Sequence, residues 1–287
     1  MAYRIVIRAC ALAGLVVLGP GAAAAETPVE RGKYLVESIA GCGNCHTPRG
    51  PGGVFAAGKE LAGGFVITDG PFRAVTSNIT PDKETGIGNW TDAQIAKAIR
   101  EGLRPDGSLV GPPMPIELYR KMSDSDLNAI VAYLRTVKPV ANKVEKSTYQ
   151  IPLPPNYGPQ VGSVADVPRA DKVKYGEYLA GPLGHCVECH TPLVRGHRDW
   201  SRIGQGGQEF KGPWGVSVAR NLTPHPTDGL GQWSGAEIKR AITTGVSKAG
   251  NRLFPPMGFS FYAKVRGEDL DALVAYLRSL KPLPHAN

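Results

Sequence analysis

With 287 residues, 42% of them hydrophobic, the chain is long enough to build two domains that each bury a core. Its formal charge is +8, but the basic residues are scattered with no basic run, which argues against nucleic acid as a partner. The excess is lopsided: residues 26–139 hold 13 basic and 13 acidic residues, whereas residues 171–287 hold 15 and 10.

Residues 1–25 read as a signal peptide: Arg4 and Arg8 give a positive start, Ile5 to Leu18 is largely apolar, and Ala24 or Ala25 offers a small-residue cleavage position. A retained membrane anchor is the alternative, but the apolar run falls short of the ~20 residues that a span needs. No later segment is long or apolar enough to cross a bilayer. The expectation is a periplasmic protein without a membrane span in its mature chain. Cys10 leaves with the signal, and four cysteines remain: Cys42, Cys45, Cys186 and Cys189.

Residues 26–139 form a first predicted domain. A helix through Tyr34 and Leu35 is expected to run into Cys42-Gly-Asn-Cys45-His46. The segment SNITPDKETGIGNWT, Ser77–Thr91, ends on a capping box, Thr91 to Gln94, that opens a second helix closed by Gly102. Then come the loop GPPMP, Gly111–Pro115, and a last helix whose Leu127, Ile130, Val131 and Leu134 make one apolar stripe. Nothing alternates with period two for long, so the expected fold is all-α. Residues 140–170 lack a helical period and contain Pro152, Pro154, Pro155, Pro159 and Pro168. They read as an extended, Pro-rich linker that spaces two domains and is free to lie across them.

Residues 171–287 repeat the first domain. GKYL at Gly32 returns as GEYL at Gly176, and Cys42-x-x-Cys45-His46 as Cys186-x-x-Cys189-His190. Ser77–Thr91 returns as RNLTPHPTDGLGQWS, Arg220–Ser234, and GPPMP as FPPMG, Phe254–Gly258. LNAIVAYLRTVKP, Leu127–Pro139, returns as LDALVAYLRSLKP, Leu270–Pro282. The offset is 144 through the Cys-x-x-Cys-His motif and 143 from Ser77 on, a period that means tandem domains.

Cys-x-x-Cys-His is the attachment signature of c-type haem: the thiols add to the two porphyrin vinyl groups, and the adjacent imidazole meets the iron. A dithiol redox pair and half of a zinc site are the competing accounts. Zinc needs further ligands, whereas residues 26–139 hold one histidine, His46, and no other cysteine. A redox dithiol has no need of a histidine at the same place twice. Two covalent haem c groups are therefore expected, with His46 and His190 as proximal ligands. For the sixth position the first domain offers Met114 and Met122. Met122 aligns with Val265 and reads as packing. Met114 aligns with Met257, and both follow two prolines, 67–68 residues after the haem histidine, which stiffens the loop that would hold a thioether at the iron. His/Met ligation raises the reduction potential and leaves substrate no place at the metal.

With these motifs in order, the chain resembles a tandem class I cytochrome c, and SNITPDKETGIGNWT with MP and VAYLR is similar to the cytochrome c subunits of bacterial membrane-associated alcohol and gluconate dehydrogenases. The resemblance implies that Asn78 and Asn221, with Thr80 and Thr223, shape the loop over each haem, and that Trp90 and Trp233 pack near the propionates; ordinary turn and core residues are the alternative for each. Arg73 and Arg220 are weaker propionate candidates. His185, His197, His225 and His285 read as surface residues first, with His185, beside Cys186, a possible replacement ligand. Those subunits usually carry three haem domains and a membrane-associating tail, so two domains without a tail favour a soluble dihaem carrier.

The expected function is electron transfer from a periplasmic dehydrogenase to another cytochrome or a terminal oxidase, with different faces for donor and acceptor. Basic surface on the second domain would steer an acidic partner. A dihaem enzyme, peroxidase-like, would need one displaceable axial ligand, which the paired Met114 and Met257 oppose. A thiosulfate dehydrogenase-like enzyme would need a further cysteine. A permanent dehydrogenase subunit shares the carrier's chemistry and differs in partner lifetime.

Overall fold

The computed structural model describes residues 1, 25–70, 72–212 and 214–285; the expected signal peptide lies almost wholly outside the described residues. The first repeat opens with α1, Pro28–Glu37, where Thr27 and Glu30 form a capping box and Pro28 occupies the first turn. α1 does not run into the cysteine motif as its sequence leads one to expect. Ser38 leaves helical space, Gly41 adopts a left-handed φ of 53°, and a separate turn, α2, Cys42–His46, carries the motif. The first repeat continues with α3, Asp92–Glu101, α4, Ile116–Tyr119, and α5, Asp124–Leu134.

The second repeat follows the same plan. α6, Lys172–Tyr178, passes into a π-turn at Leu179–Leu183 that contains Pro182, and His185 at φ 42° stands where Gly41 stood, before α7, Cys186–Cys189. Then come α8, Gly235–Thr244, α9, Phe259–Tyr262, and α10, Gly267–Ser279. The capping boxes of α3 and α8, and the left-handed Gly102 and Gly245 that end them, fall where the sequence predicts.

Each repeat is built on one helix crossing, α1 on α5 and α6 on α10. A Cβ at Gly32 would stand 1.9 Å from the Ala129 carbonyl oxygen, and one at Gly176 would stand 2.0 Å from that of Ala272. The glycine of GKYL and GEYL is thus what lets the two backbones touch. Leu127, Ile130, Val131 and Leu134 are buried in the core, as are Leu270, Leu273, Val274 and Leu277. Met122 is 1% exposed, the packing residue its sequence context indicates.

The all-α expectation is corrected by small sheets. β1, Val66–Asp69, pairs antiparallel with β2, Phe72–Val75, and β3, Thr148–Tyr149, adds to β2. In the second repeat β4, Leu193–Val194, pairs with β5, His197–Arg198, and β6, Glu209–Gly212, with β7, Gly215–Val218. Strands of two to four residues around tight turns are too short to write a period-two pattern. Residues 140–170 hold only β3 as regular structure and run along the first repeat. Ser147 bonds Val75, Tyr157 donates to the Val110 carbonyl at 2.7 Å, and Ser163 donates to Asp124 at 2.6 Å.

The repeats meet by exchanging equivalent contacts. Tyr34 donates its hydroxyl to Asp269 at 2.6 Å and accepts from the Arg266 N–H at 3.2 Å. Tyr178 donates to Asp126 at 2.8 Å and accepts from the Ser123 N–H at 3.2 Å. Both carboxylates sit in the first turn of a helix, where free N–H groups and the dipole favour negative charge. The copies differ in one partner: Arg31 grips Asp126 with two bonds of 2.7 and 3.0 Å, whereas Tyr175 stands at the position of Arg31 in the second repeat.

Tyr34→Phe and Tyr178→Phe are each expected to cost about 1.5–3 kcal/mol, the range for a hydrogen bond to a charged group, read from denaturant unfolding of the holoprotein. Gly32→Ala is expected to cost at least ~3 kcal/mol, the upper end of overpacking penalties. An unchanged transition in that variant would show that the crossing tolerates a methyl group and is not set by the glycine.

Candidate functional site

The residues after each histidine build a loop that returns to it. The Thr47 hydroxyl accepts from the Leu61 N–H at 3.1 Å, and the Thr191 hydroxyl from the Gly204 N–H at 3.2 Å. Two residues on, the Gly63 and Gly206 amides donate to the carbonyls of His46 and His190 at 2.7 and 2.8 Å. Both glycines have positive φ, and a Cβ on either would lie within 2.5 Å of the strand that passes behind it. That strand ends on the carbonyl that matters. His46 Nδ1 lies 2.8 Å from the Ser77 carbonyl oxygen, and His190 Nδ1 lies 2.6 Å from that of Arg220.

A carbonyl can only accept, so Nδ1 carries the proton in both rings and Nε2 keeps its lone pair. Burial holds both imidazoles below the usual histidine range, against the opposing pull of the carbonyl bonds. A neutral ring with a fixed tautomer and a free Nε2 is what a haem iron requires, and the carbonyl is the outer partner that sets its orientation. The donor set therefore fits haem iron in both repeats. It does not fit zinc: among the described residues no three of His, Cys, Asp or Glu gather where a metal could sit. Burial also pushes all four thiols up, Cys186 to about 11, which disfavours the thiolate that a dithiol oxidoreductase uses.

Asn78 and Asn221 hold the next stretch. Each side-chain oxygen accepts from the backbone and hydroxyl of Thr80 or Thr223, and each amide donates to a carbonyl past the last helix, Val140 or Leu283. Their polar groups are engaged in building the loop. Trp90 and Trp233 are half-buried against the core, with carbonyls that accept from Arg135 and Arg278. Met114 and Met257 are half-buried in loops whose Pro-Pro bonds, Pro112–Pro113 and Pro255–Pro256, are both cis. Arg73 forms an ion pair with Glu145 at 2.8 Å, and the Arg220 carbonyl faces His190 Nδ1, with the Arg220 side chain exposed.

The first cysteine turn meets the methionine loop and α9 of the second repeat. Asn44 donates to the Pro256 carbonyl at 3.3 Å, and a Cβ at Gly43 would meet the Phe261 ring at 3.1 Å. His185 is an interface residue, not a surface one: its ring meets Tyr119 edge-on at 6.1 Å. Tyr119 and Tyr262 are equivalent residues, and burial first, then the neighbouring thiols, hold both phenols far above their usual range. Tyr262 feels Cys45 as well as Cys186 and Cys189, so the turns of both repeats converge on it. Sequence reading passed over these tyrosines and over Tyr34, Tyr178, Asp126 and Asp269. The signal was there, since each is identical in the two copies.

The cytochrome c family matches residues 29–138 and 175–281. The chain is 34% identical over 281 residues to the fructose dehydrogenase cytochrome subunit of Gluconobacter japonicus, covering 91% of this chain and 54% of that protein. It is 31% identical over 287 residues to the alcohol dehydrogenase (quinone) cytochrome c subunit of Gluconacetobacter polyoxogenes, covering 92% and 59%. The chain thus spans little more than half the length of these subunits. A diheme cytochrome c-type protein of Cereibacter sphaeroides is 30% identical over 253 residues, covering 83% of this chain and 81% of that one. With two family matches over two oriented histidines, the chain belongs to the cytochrome c family and carries two covalently bound haem c groups.

Proposed function

We propose that the chain relays single electrons, in the periplasm, from a dehydrogenase to a downstream cytochrome or oxidase. The observation that carries this reading is the pair of equivalent imidazoles, each with Nδ1 spent on a backbone carbonyl and Nε2 free. Cys42 and Cys45 would hold one haem and Cys186 and Cys189 the other, with His46 and Met114, and His190 and Met257, as axial pairs. Bound haem iron supplies one-electron chemistry by passing between its ferric and ferrous forms.

The protein's share of the work is to keep that site from changing when the charge does. The carbonyl bond stops the imidazole from rotating, and the Asn-Thr loop ties the carbonyl to the end of the last helix. Met114 and Met257, holding the iron through sulfur, would favour its ferrous form and would leave no open coordination site of the kind that a peroxidase-like enzyme uses. Relatives that are cytochrome subunits of dehydrogenases support a dehydrogenase as the electron donor. Among the described residues no helix is long and apolar enough to cross a membrane.

Optical spectra of the purified holoprotein are expected to show two low-spin haems with methionine–iron charge transfer, unchanged by carbon monoxide. A haem that binds carbon monoxide would overturn the relay reading in favour of a dihaem enzyme. Met114→Ala and Met257→Ala should each open one haem to carbon monoxide. Each should also lower one potential by a sizeable part of the ~0.8 V range over which axial ligands tune haem. Met122→Leu should leave every spectrum unchanged and cost less than about 1.5 kcal/mol.

A further inference from the structure

The two repeats differ most on one face. In the first, the hairpin edge of β2 is closed: Arg73 pairs with Thr148 and Phe72 with Tyr149, and the Val75 N–H donates to the Ser147 hydroxyl at 3.0 Å. The same strap closes the methionine loop. Tyr149 donates to the Pro112 carbonyl at 3.2 Å, and its ring lies so near Gly111 that a Cβ there would approach it to 2.4 Å. In the second repeat β6 and β7 stand at the positions of β1 and β2, and among the described residues nothing adds to β7. Val218 is 45% exposed where its equivalent Val75 is 9%, and Val216 is 57% exposed. Phe254, which replaces Gly111 beside the second methionine loop, is 52% exposed.

The outer edge of β7 is a row of unpaired donors and acceptors. Ala219 donates inward to Gln208, and alternation along an antiparallel ladder then turns the N–H groups of Val218 and Val216 outward. Edges of this kind take a further strand unless something blocks them. Exposed Lys211 stands opposite Val216 on β6, exposed Arg220 follows β7 by two residues, and exposed Arg252 precedes Phe254 by two. None of the three has an ion-pair partner among the described residues, and Glu209 is the one acid on the hairpin's outer face. The second repeat is also where the basic excess of the chain lies.

We propose that the edge of β7, with Phe254 beside it, is where a partner protein adds an extended acidic segment as a third antiparallel strand. The first repeat shows the main-chain geometry, since β3 is that strand for β2; the added strand needs a small residue at the position of Tyr149, because Phe254 stands where Gly111 makes room for that ring. Side-chain contacts with Val216, Val218 and Phe254 give the added strand an apolar footing, and the main-chain bonds fix its register. The partner is thereby seated next to the methionine loop of the second haem, while the first haem's equivalent face is shut by residues 147–157. This names the partner surface of the relay proposed above and rests on that reading for its meaning. Its test reads strand pairing rather than electron transfer, so either can fail alone.

The probe is a nonapeptide of residues 143–151 with Tyr149 replaced by Ala to make room for Phe254, carrying two acidic substitutions, Lys143→Glu and Lys146→Glu, and added to the full-length holoprotein. Amide exchange at Val216 and Val218 is expected to slow by about tenfold or more at saturation, with Arg73 and Val75 unchanged. The peptide without the two substitutions should bind about tenfold more weakly at low salt, and the difference should close at high salt. N-methylation of alternate amides should abolish binding in one phase and spare it in the other. Val218→Pro should abolish it with the haem spectra unchanged. Binding that survives N-methylation in both phases, or no binding at all, would overturn the proposal. Protection of β7 before any peptide is added, together with a dimer mass, would overturn it too, because a second copy would then occupy the edge.

Discussion

The pairing of the two repeats depends on two tyrosine–carboxylate bonds that cross between them. Asp126 and Asp269 are both buried, and an ionised carboxylate taken out of water must be hydrogen-bonded or it opposes folding. Each repeat supplies the hydroxyl that the other's carboxylate needs. Asp126 is also held by Arg31 of its own repeat, whereas among the described residues Asp269 takes its side-chain bond from Tyr34 alone, so the second repeat is the one left incomplete as a polar structure on its own. The arrangement is that of an isologous dimer interface written into one chain, with residue i meeting j and the equivalent of j meeting the equivalent of i. Because the bonds join α1 to α10 and α6 to α5, they fix the helices that end next to the cysteine turns. The approach of the two haem motifs follows from where those helices end.

Within each repeat a second constraint runs from the last helix to the haem histidine. The carbonyl of Val140 or Leu283, just past that helix, accepts from an asparagine amide. The asparagine holds a threonine two residues on, and the residue before the asparagine gives its carbonyl to the imidazole. Four residue types in series thus tie the imidazole to the scaffold. This explains why the side chain at position 77 or 220 is free to be Ser or Arg: the ring uses the main chain. It also accounts for the glycines at 63 and 206, which stand where a Cβ would push the carbonyl strand away.

Local signals in the sequence read well. Capping boxes, left-handed glycines and the apolar stripe of the last helix act over one or two turns, and α3, α5, α8 and α10 formed where they point. The break between α1 and α2 was invisible because Gly41 is one glycine among 36, and its equivalent, His185, is a residue type that rarely signals a left-handed turn. The small sheets escaped for want of length. The tyrosine–aspartate exchange lay outside a domain-by-domain reading, which has no way to ask whether a residue's partner is in the other copy.

What the sequence holds as one motif written twice becomes, in three dimensions, two sites of unequal access. The cysteines, histidines, methionines and loop asparagines are equivalent, so they give no ground for a difference. The difference comes from residues 140–170, which belong to neither repeat. By running along the first repeat they add a strand to its hairpin and two tyrosines to its methionine loop. The second repeat has the same hairpin and the same loop without that cover, on the half of the chain that carries the positive excess. A connector whose composition signals only extended chain thereby breaks the symmetry of the pair. Under the relay proposed above, transfer between like haems would fall to the interior of the molecule, and the surface would decide which of them meets a partner.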